Sequence, residues 1–264
     1  MKVPERGIMF ELEWSVSLVL LMFLVGLLAG WVDTLAGGGG LITLPALLLA
    51  GIPPLAALAT NKAQGFVGTM TATLMLVVKG HLKIIRLLPL VFTAAIGSIL
   101  GTWLIQRVDT GWLHWGIPLL LIGVAGYFFA CPQVGKIETA ARQSERAYGL
   151  TAVPLIGFYD GAIGPGAGSF FAASGVLLRG QTLLQATIRA KLFNFITNIC
   201  SMALFAAAGK IVWIVALAMM AGQLCGAVLA SHTMLNGGDK LIRPLVIVMC
   251  VLMSCSQVYK LLLQ

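Results

Sequence analysis

Residues 30–39 read GWVDTLAGGG, and residues 157–166 read GFYDGAIGPG. The two stretches place glycine, an aromatic residue, aspartate and glycine at the same spacing. Asp160 lies 127 positions after Asp33, and the flanking glycines follow at the same offset. Self-similarity at a fixed period is the signature of an internal repeat. We therefore predict that these stretches occupy corresponding places in two related halves of the chain.

The repeat continues beyond these two stretches. ATNKA at residues 59–63 falls on ATIRA at residues 186–190 at the same offset of 127. Later matches follow at 125 or 126, namely Gly97 with Gly222, Gly101 with Gly226 and Pro118 with Pro244. A polar connection lies between the two sets of matches. We predict a first repeat, a linker and a second repeat at residues 1–135, 136–148 and 149–264, respectively.

The composition of the chain indicates a membrane protein. Of its 264 residues, 59% are hydrophobic and 10% are charged, whereas an ordinary soluble domain has about 25% charged residues. Apolar runs long enough to cross about 30 Å of hydrocarbon recur throughout. The alternation of apolar and polar residues over about ten positions that marks membrane β-barrels is not seen. We predict an all-α polytopic membrane protein with about eight transmembrane helices, about four in each half.

The apolar runs divide into long and short segments. Two runs, residues 41–50 and 169–178, cover about half a bilayer at helical rise, and each follows a glycine-rich break. Such segments at corresponding places in two halves are typical of a binding site made by discontinuous helices. We therefore predict one short or re-entrant helix in each half. The predicted full spans are residues 14–36, 55–78, 84–105, 112–130, 148–163, 187–208, 211–235 and 241–262.

Glycines are concentrated at the two breaks. Glycine allows sharp turns and close approach of a ligand to the backbone, and helices that start there point N–H groups and a positive dipole end at the break. Single glycines more often serve helix packing. Two clusters at corresponding positions favour an anion site instead, and we expect the breaks to meet near the bilayer midplane. The candidate glycines are Gly37, Gly38, Gly39, Gly40, Gly164, Gly166 and Gly168.

Three cations lie within the apolar segments that follow the breaks. Lys62 and Arg189 match by the repeat, and Lys191 comes two residues later. A charge at the centre of a spanning helix costs about 2.5 kcal/mol or more, so it usually faces water or a partner. Snorkelling from a helix end is the alternative for each residue alone. We expect Arg189 and Lys62 to hold an anion, with Arg189 dominant because its planar fork binds two oxygens at once.

Carboxylates and uncharged polar residues accompany these cations. Asp33 and Asp160 can neutralise the cations, cap the short helices or take up a proton. Amides and hydroxyls can line a polar path or tie helices together at about 0.6 kcal/mol per bond. The candidates of this second kind are Thr60, Asn61, Thr187, Ser169, Asn194 and Asn198.

The distribution of Lys and Arg in the connections suggests the topology. Most of the 17 Lys and Arg residues lie in short loops, where they determine orientation, so the net charge of +8 does not indicate nucleic-acid binding. Eight crossings with parallel halves put ten cations inside and four outside, with both termini and the linker cytoplasmic. Ten crossings with inverted halves, and with both termini outside, put nine cations inside and five outside. The count favours the parallel arrangement and leaves the inverted one open.

Other chemistry has no support in the sequence. The five cysteines and three histidines show no metal-ligand spacing, and no Walker A motif, zincin motif or nucleophile elbow is present. We therefore predict no cofactor, no metal and no enzymatic activity.

Long motifs in both halves resemble the TauE/SafE family of bacterial membrane proteins. The first half contributes GWVDTLAGGGGLITLPALLLAG and ATNKAQG, and the second GFYDGAIGPGAGSFF and ATIRAKLFNFITN. The family is associated with sulfite, sulfonates and related organosulfur anions. The resemblance implies a multi-pass inner-membrane transporter of a small oxyanion, with membrane lipid as its surroundings. The first half has Gly37-Gly-Gly-Gly where the second has Gly-Pro-Gly, so the two half-sites need not be equivalent.

The charge of the candidate site separates the remaining hypotheses. Three cations against two aspartates leave a net charge of +1, which favours an anion. A cation carrier would instead depend on the aspartates, and a non-transporting scaffold would need neither the matched charges nor the paired breaks. Substrate, direction, coupling ion and oligomeric state stay open at this point.

Overall fold

The computed structural model describes residues 16–108 and 138–235. The predicted spans at 112–130 and 241–262 lie outside these residues, as do the charges that precede residue 16. Every regular element in the described part of the chain is an α-helix. In chain order these are α1 (Val16–Ala36), α2 (Gly40–Leu49), α3 (Pro54–Val78), α4 (Ile84–Ile105), α5 (Glu145–Leu150), α6 (Ala152–Ala162), α7 (Ala167–Arg179), α8 (Leu183–Ala207) and α9 (Trp213–Leu235).

The helices follow the predicted apolar runs. Four of them, α1, α4, α8 and the Trp213–Thr233 part of α9, are long and apolar enough to cross a membrane. The two predicted half-length segments are the separate helices α2 and α7, of 10 and 13 residues. Although α3 has 25 residues, its Thr, Asn, Lys and Gln side chains lower its hydropathy, and many of them are buried in the protein.

Glycines produce both breaks by adopting backbone angles that other residues avoid. Gly37 has φ +74°, and Gly164 and Gly166 have φ +95° and +79°. A side chain in this left-handed region costs about 1–2 kcal/mol. The chain therefore reverses at the end of α1 and at the end of α6, and each short helix returns beside the helix that precedes it.

The two long polar helices at the centre, α3 and α8, run in opposite directions. The rings of Phe66 and Phe195 stack near the middle of each helix, with centroids 5.9 Å apart. The N–H of Val212, which follows α8, donates to Thr60 Oγ1 near the start of α3 at 3.1 Å. Parallel halves would require α3 and α8 to run the same way. The preference for the parallel arrangement was therefore wrong for these helices, whose directions are those of the inverted alternative.

One end of the helix assembly carries the linker, and we call it the linker end. The N–H of Thr139 donates to the carbonyl of Gly180 at 2.8 Å, and the N–H of Arg142 donates to that of Leu178 at 3.0 Å. The loop at residues 79–83 lines a cavity together with Thr139 and Gly180. Hairpin α6–α7 therefore begins and ends at the linker end.

The opposite end, which we call the far end, carries the start of α1 and the connections before α3 and before α9. Met22, Leu47, Ile52 and Val212 belong to one buried apolar cluster there. Hairpin α1–α2 therefore begins and ends at the far end. The parallel arrangement placed Arg179 on the side opposite Lys79 and Lys83. The structure puts all three at the linker end, because α7 turns back instead of crossing.

Candidate functional site

The two glycine breaks are in contact at the centre of the described helices. A Cβ atom added to Gly37 would lie 2.5 to 2.7 Å from backbone atoms of Gly168 and Ser169. The Ser169 hydroxyl donates to the carbonyl of Ala36 at 2.7 Å. Only glycine on both sides permits this approach of one backbone to the other. The two glycine breaks therefore lie together in one place in the structure.

Two buried ion pairs lie beside this contact. The ammonium group of Lys62 on α3 binds the carboxylate of Asp160 on α6. The ammonium group of Lys191 on α8 lies 3.8 Å from Asp33 Oδ2 on α1 and donates to the Asp33 backbone carbonyl. All four side chains are buried. Each cation is therefore neutralised by one aspartate that is distant from it in the sequence.

The two aspartates have different second partners. Asp33 Oδ1 accepts a hydrogen bond from the Gly39 N–H at 3.0 Å, which fixes the backbone at the start of α2. Asp160 accepts from the hydroxyl of Thr197 on α8. With its amide oriented so that both polar atoms are satisfied, Asn194 donates to Asp160 Oδ2 at 3.1 Å and accepts from the Gly168 N–H at 3.2 Å. Asp33 therefore combines pairing with capping, whereas Asp160 is held by side chains of α3 and α8.

A polar network extends the site along α2 and α3. The Thr43 hydroxyl donates to Asn61 Oδ1, and Gln64 Nε2 donates to the same oxygen at 2.9 Å. Sequence reasoning named Asn61 but missed Thr43, Gln64 and Thr197. The signal available was their position as polar residues in helices that follow or face a glycine break.

The remaining candidates contribute to structure at some distance from this network. The Thr60 hydroxyl, near the start of α3, accepts a hydrogen bond from the Val212 N–H. The Thr187 hydroxyl donates to the carbonyl of Leu183 one turn earlier in α8, at 2.7 Å. Neither residue lines the central cavity, whereas the predicted residues Gly37, Gly40, Asn61, Gly164, Gly166, Gly168, Asn194 and Asn198 do.

Arg189 does not join the central site. Its side chain is 34% exposed, and its guanidinium group lies 3.5 Å from Glu145 Oε1 at the linker end. The bounds of helices α3 and α8 explain this position. Helix α3 covers residues 54–78 and helix α8 covers residues 183–207, so both the first and the last residues of the two helices are 129 positions apart. This register matches Lys62 with Lys191, whereas the offset of 127 matched it with Arg189. The chain between the second break and α8 is two residues longer than the chain between the first break and α3. The residue of α8 that corresponds to Lys62 is therefore Lys191 and not Arg189.

The loss of Arg189 changes the charge of the site. Lys62 and Lys191 against Asp33 and Asp160 give a formal charge of zero, where the sequence led us to expect +1. An anion is therefore not attracted by an excess of fixed side-chain charge in this conformation. The ammonium groups can bind an anion only when it replaces a carboxylate as their partner, while the N-terminal ends of α2 and α7 supply fixed dipoles.

The space beside the buried charges is small in this conformation. The cavity that Lys62, Asp33 and Asp160 line has a volume of about 20 Å³, which is enough for about one water molecule. Lys62, Asp160 and the glycines of both breaks form its wall. A sulfite or sulfonate group needs more room, so the ion pairs close the site to such an anion.

Comparison with known proteins decides the family. The family model described as "Sulfite exporter TauE/SafE" matches residues 22–256. The chain belongs to the TauE/SafE family. This result confirms the resemblance carried by the glycine motifs, and the matched region includes all four buried charges.

Curated relatives of this TauE/SafE chain come from several bacteria. A "Probable membrane transporter protein" of Haemophilus influenzae is 39% identical over 248 residues, covering 94% of this chain and 97% of the relative. "Probable membrane transporter protein ORF9" of Sinorhizobium is 40% identical over 242 residues, covering 92% and 93%. "Probable membrane transporter protein YfcA" of Escherichia coli K12 is 39% identical over 255 residues, covering 95% and 94%. No solved structure matches the chain.

These comparisons place the TauE/SafE chain among multi-pass membrane transporters rather than enzymes. The part of the chain that the structure describes brings no three His, Cys, Asp or Glu side chains together as a metal site would require.

Proposed function

We propose that this chain transports a small oxyanion across the bacterial inner membrane, with sulfite and organic sulfonates as the first candidates. The observation that carries the proposal is the pair of buried Lys–Asp contacts that join the halves where two glycine breaks meet. Burying four charges is costly unless each is paired. A scaffold protein would gain little stability from this arrangement, whereas a transporter uses it to form and open a site.

The anion enters by replacing a carboxylate as the partner of a lysine. Asp160 can give up Lys62 because Thr197 and Asn194 still bind its oxygens. Asp33 can give up Lys191 because the Gly39 N–H still binds it. Each pair then opens without leaving an unsatisfied carboxylate in a dry environment. The backbone of both breaks orients the anion, and the lysines supply the opposite charge.

The two halves are inverted repeats with the linker end in the cytoplasm. Among the described loops and first turns, the linker end carries Lys79, Lys83, Arg86, Arg142, Arg146, Arg179 and Arg189, and the far end carries Arg107 and Lys210. This asymmetry follows the positive-inside rule. Alternate opening of the two ion pairs would then expose the site to one side at a time, as in other transporters made of inverted repeats.

Cysteine labelling from the periplasmic side checks this orientation. In a variant without native cysteines, Glu138→Cys should resist a membrane-impermeant thiol reagent until the cells are opened. Ala208→Cys should react in intact cells, because residue 208 lies at the far end. Parallel halves would place both positions in the cytoplasm, so protection of Ala208→Cys in intact cells would contradict the inverted arrangement.

The proposed activity is tested by flux in proteoliposomes. Vesicles loaded with sulfite, sulfate, a simple sulfonate or thiosulfate should release at least one of these anions at a rate that depends on the protein, with or without a proton gradient. A cation carrier, the runner-up hypothesis, would instead move sodium or potassium and lose activity when Asp33 and Asp160 are neutralised. Absence of protein-dependent anion flux for the whole panel would contradict the proposal.

A further inference from the structure

A second, larger cavity opens at the linker end, and we call it the basic vestibule. Its volume is about 510 Å³, within the range of small-molecule sites. Its wall comes from four parts of the chain, namely the 80–87 region, residues 138–139, the end of α7 and the first turns of α8. Its lining includes the cationic residues Lys83, Arg86, Arg179 and Arg189 together with His81, and one acidic residue, Glu138.

We infer that the basic vestibule is a second anion site, which captures the transported oxyanion on the linker side before it reaches the central site. This inference rests on the proposed function. Four Lys and Arg side chains against one Glu give the wall an excess of positive charge, and clefts lined by one sign of charge raise the local concentration of the opposite ion.

The vestibule cations are only partly neutralised by the protein. Arg179 and Arg189 share Glu145, at 4.0 and 3.5 Å. Within the described chain, no carboxylate lies within 4.0 Å of the ammonium of Lys83 or the guanidinium of Arg86. Lys83 and Arg86 therefore leave positive charge on the vestibule wall that no carboxylate of the described chain pairs.

The vestibule leads towards the central site but is separated from it by apolar side chains. Leu82, Leu87 and Ile188 line the vestibule and also belong to a buried cluster with Leu35 and Leu192. Leu192 directly follows Lys191, and Leu35 comes two residues after Asp33. This cluster therefore lies between the two sites. An anion held in the vestibule would stay on the linker side of this apolar cluster until the Lys191–Asp33 pair and its neighbours move.

The two sites differ in the ligand they can take. The vestibule can hold a hydrated sulfite or a sulfonate with a short organic tail, whereas the central cavity of about 20 Å³ holds neither in this conformation. Guanidinium and ammonium groups suit an oxyanion, either free in solution or on a lipid headgroup. The chemistry is shared, and the experiment must separate the two sources.

Neutralising Lys83 and Arg86, for which the described residues offer no carboxylate partner, tests the inference. In proteoliposomes, the double variant Lys83→Gln/Arg86→Gln should raise the apparent KM for anion flux about tenfold at low salt and leave the maximal rate unchanged, because capture is lost but the central site is intact. High salt should raise the KM of the unaltered protein towards that of the variant, since salt screens the vestibule. Arg107→Gln at the far end is the matched control and should leave KM unchanged.

A binding measurement separates the possible failures. Sulfate, used as the probe, should bind lipid-free protein in detergent and bind the double variant at least tenfold more weakly. Unchanged KM and unchanged sulfate binding in the double variant would overturn the inference while leaving the proposed function standing. If the flux of the unaltered protein depends on phosphatidylglycerol and the double variant loses this dependence while its sulfate binding is unchanged, the vestibule binds a lipid headgroup. That result would also overturn the inference. If the unaltered protein binds sulfate but moves no anion, the proposed function fails instead.

Discussion

Replacing Lys62 with glutamine is expected to reduce anion flux at least a hundredfold. The ammonium of Lys62 is buried, pairs with Asp160 and lies at the wall of the central cavity. Glutamine can donate a hydrogen bond, but it cannot offset the charge of the arriving anion in a dry site. The substitution also leaves Asp160 without its cation, and breaking one side of a buried pair typically costs about 3–5 kcal/mol.

The companion variants separate a loss of folding from a loss of function. Asp160→Asn removes the carboxylate, and the double variant Lys62→Gln/Asp160→Asn removes both charges. The double variant should recover thermal stability in detergent relative to Lys62→Gln, because no unpaired charge remains, yet it should still transport no anion. Flux in the double variant close to that of the unaltered protein would show that the pair is only structural.

Arg189→Gln is the matched control for this comparison. The sequence predicted that Arg189 would matter more than Lys62, but the structure places its guanidinium group at the linker end beside Glu145. Its replacement should reduce flux less than tenfold, mainly by raising the apparent KM through the vestibule. Loss of flux as large as that of Lys62→Gln would restore Arg189 to the central site.

Replacing Gly37 with alanine is expected to abolish transport by a different route. Gly37 has φ +74°, so alanine introduces backbone strain of about 1–2 kcal/mol. In addition, its Cβ would lie 2.5 to 2.7 Å from backbone atoms of Gly168 and Ser169, and backbone atoms cannot move aside cheaply. The two breaks would be forced apart and both ion pairs would lose their geometry.

Gly51→Ala provides the control for strain alone. Gly51 has φ +80°, but a Cβ there would meet nothing within 4 Å. It should therefore lower the unfolding temperature slightly and leave flux near that of the unaltered protein. Gly37→Ala should lose flux even under conditions where both variants are folded. Equal flux in the two variants would mean that contact between the breaks is not needed for transport.

The sequence predicted the helices well because their signal is local. An apolar run bounded by charged or glycine-rich residues needs no knowledge of its neighbours, so predicted runs at 84–105 and 41–50 nearly coincide with α4 and α2. The breaks were equally visible, since Gly37, Gly164 and Gly166 supply the conformations that end α1 and α6.

The direction of the helices and the partners of the charges were beyond the sequence signal. Counts of ten against four and nine against five cations differ too little to choose an arrangement, and the reversal at each break was not fixed by length alone. The match of Lys62 with Arg189 failed because the local resemblance of ATNKA to ATIRA gave an offset of 127 in helices whose ends differ by 129. Helix ends, which show an offset of 129, would have selected Lys191.

The neutrality of the central site has an electrical consequence. Lys62, Lys191, Asp33 and Asp160 together carry no net charge, so in the proposed function a monoanion that crosses without a coupled proton or cation carries one negative charge across the membrane. The membrane potential then drives the flux directly, by about 2.3 kcal/mol per elementary charge for each 100 mV. In a cell whose interior is negative, we therefore expect the proposed transport of a lone monoanion to be electrogenic and directed outward.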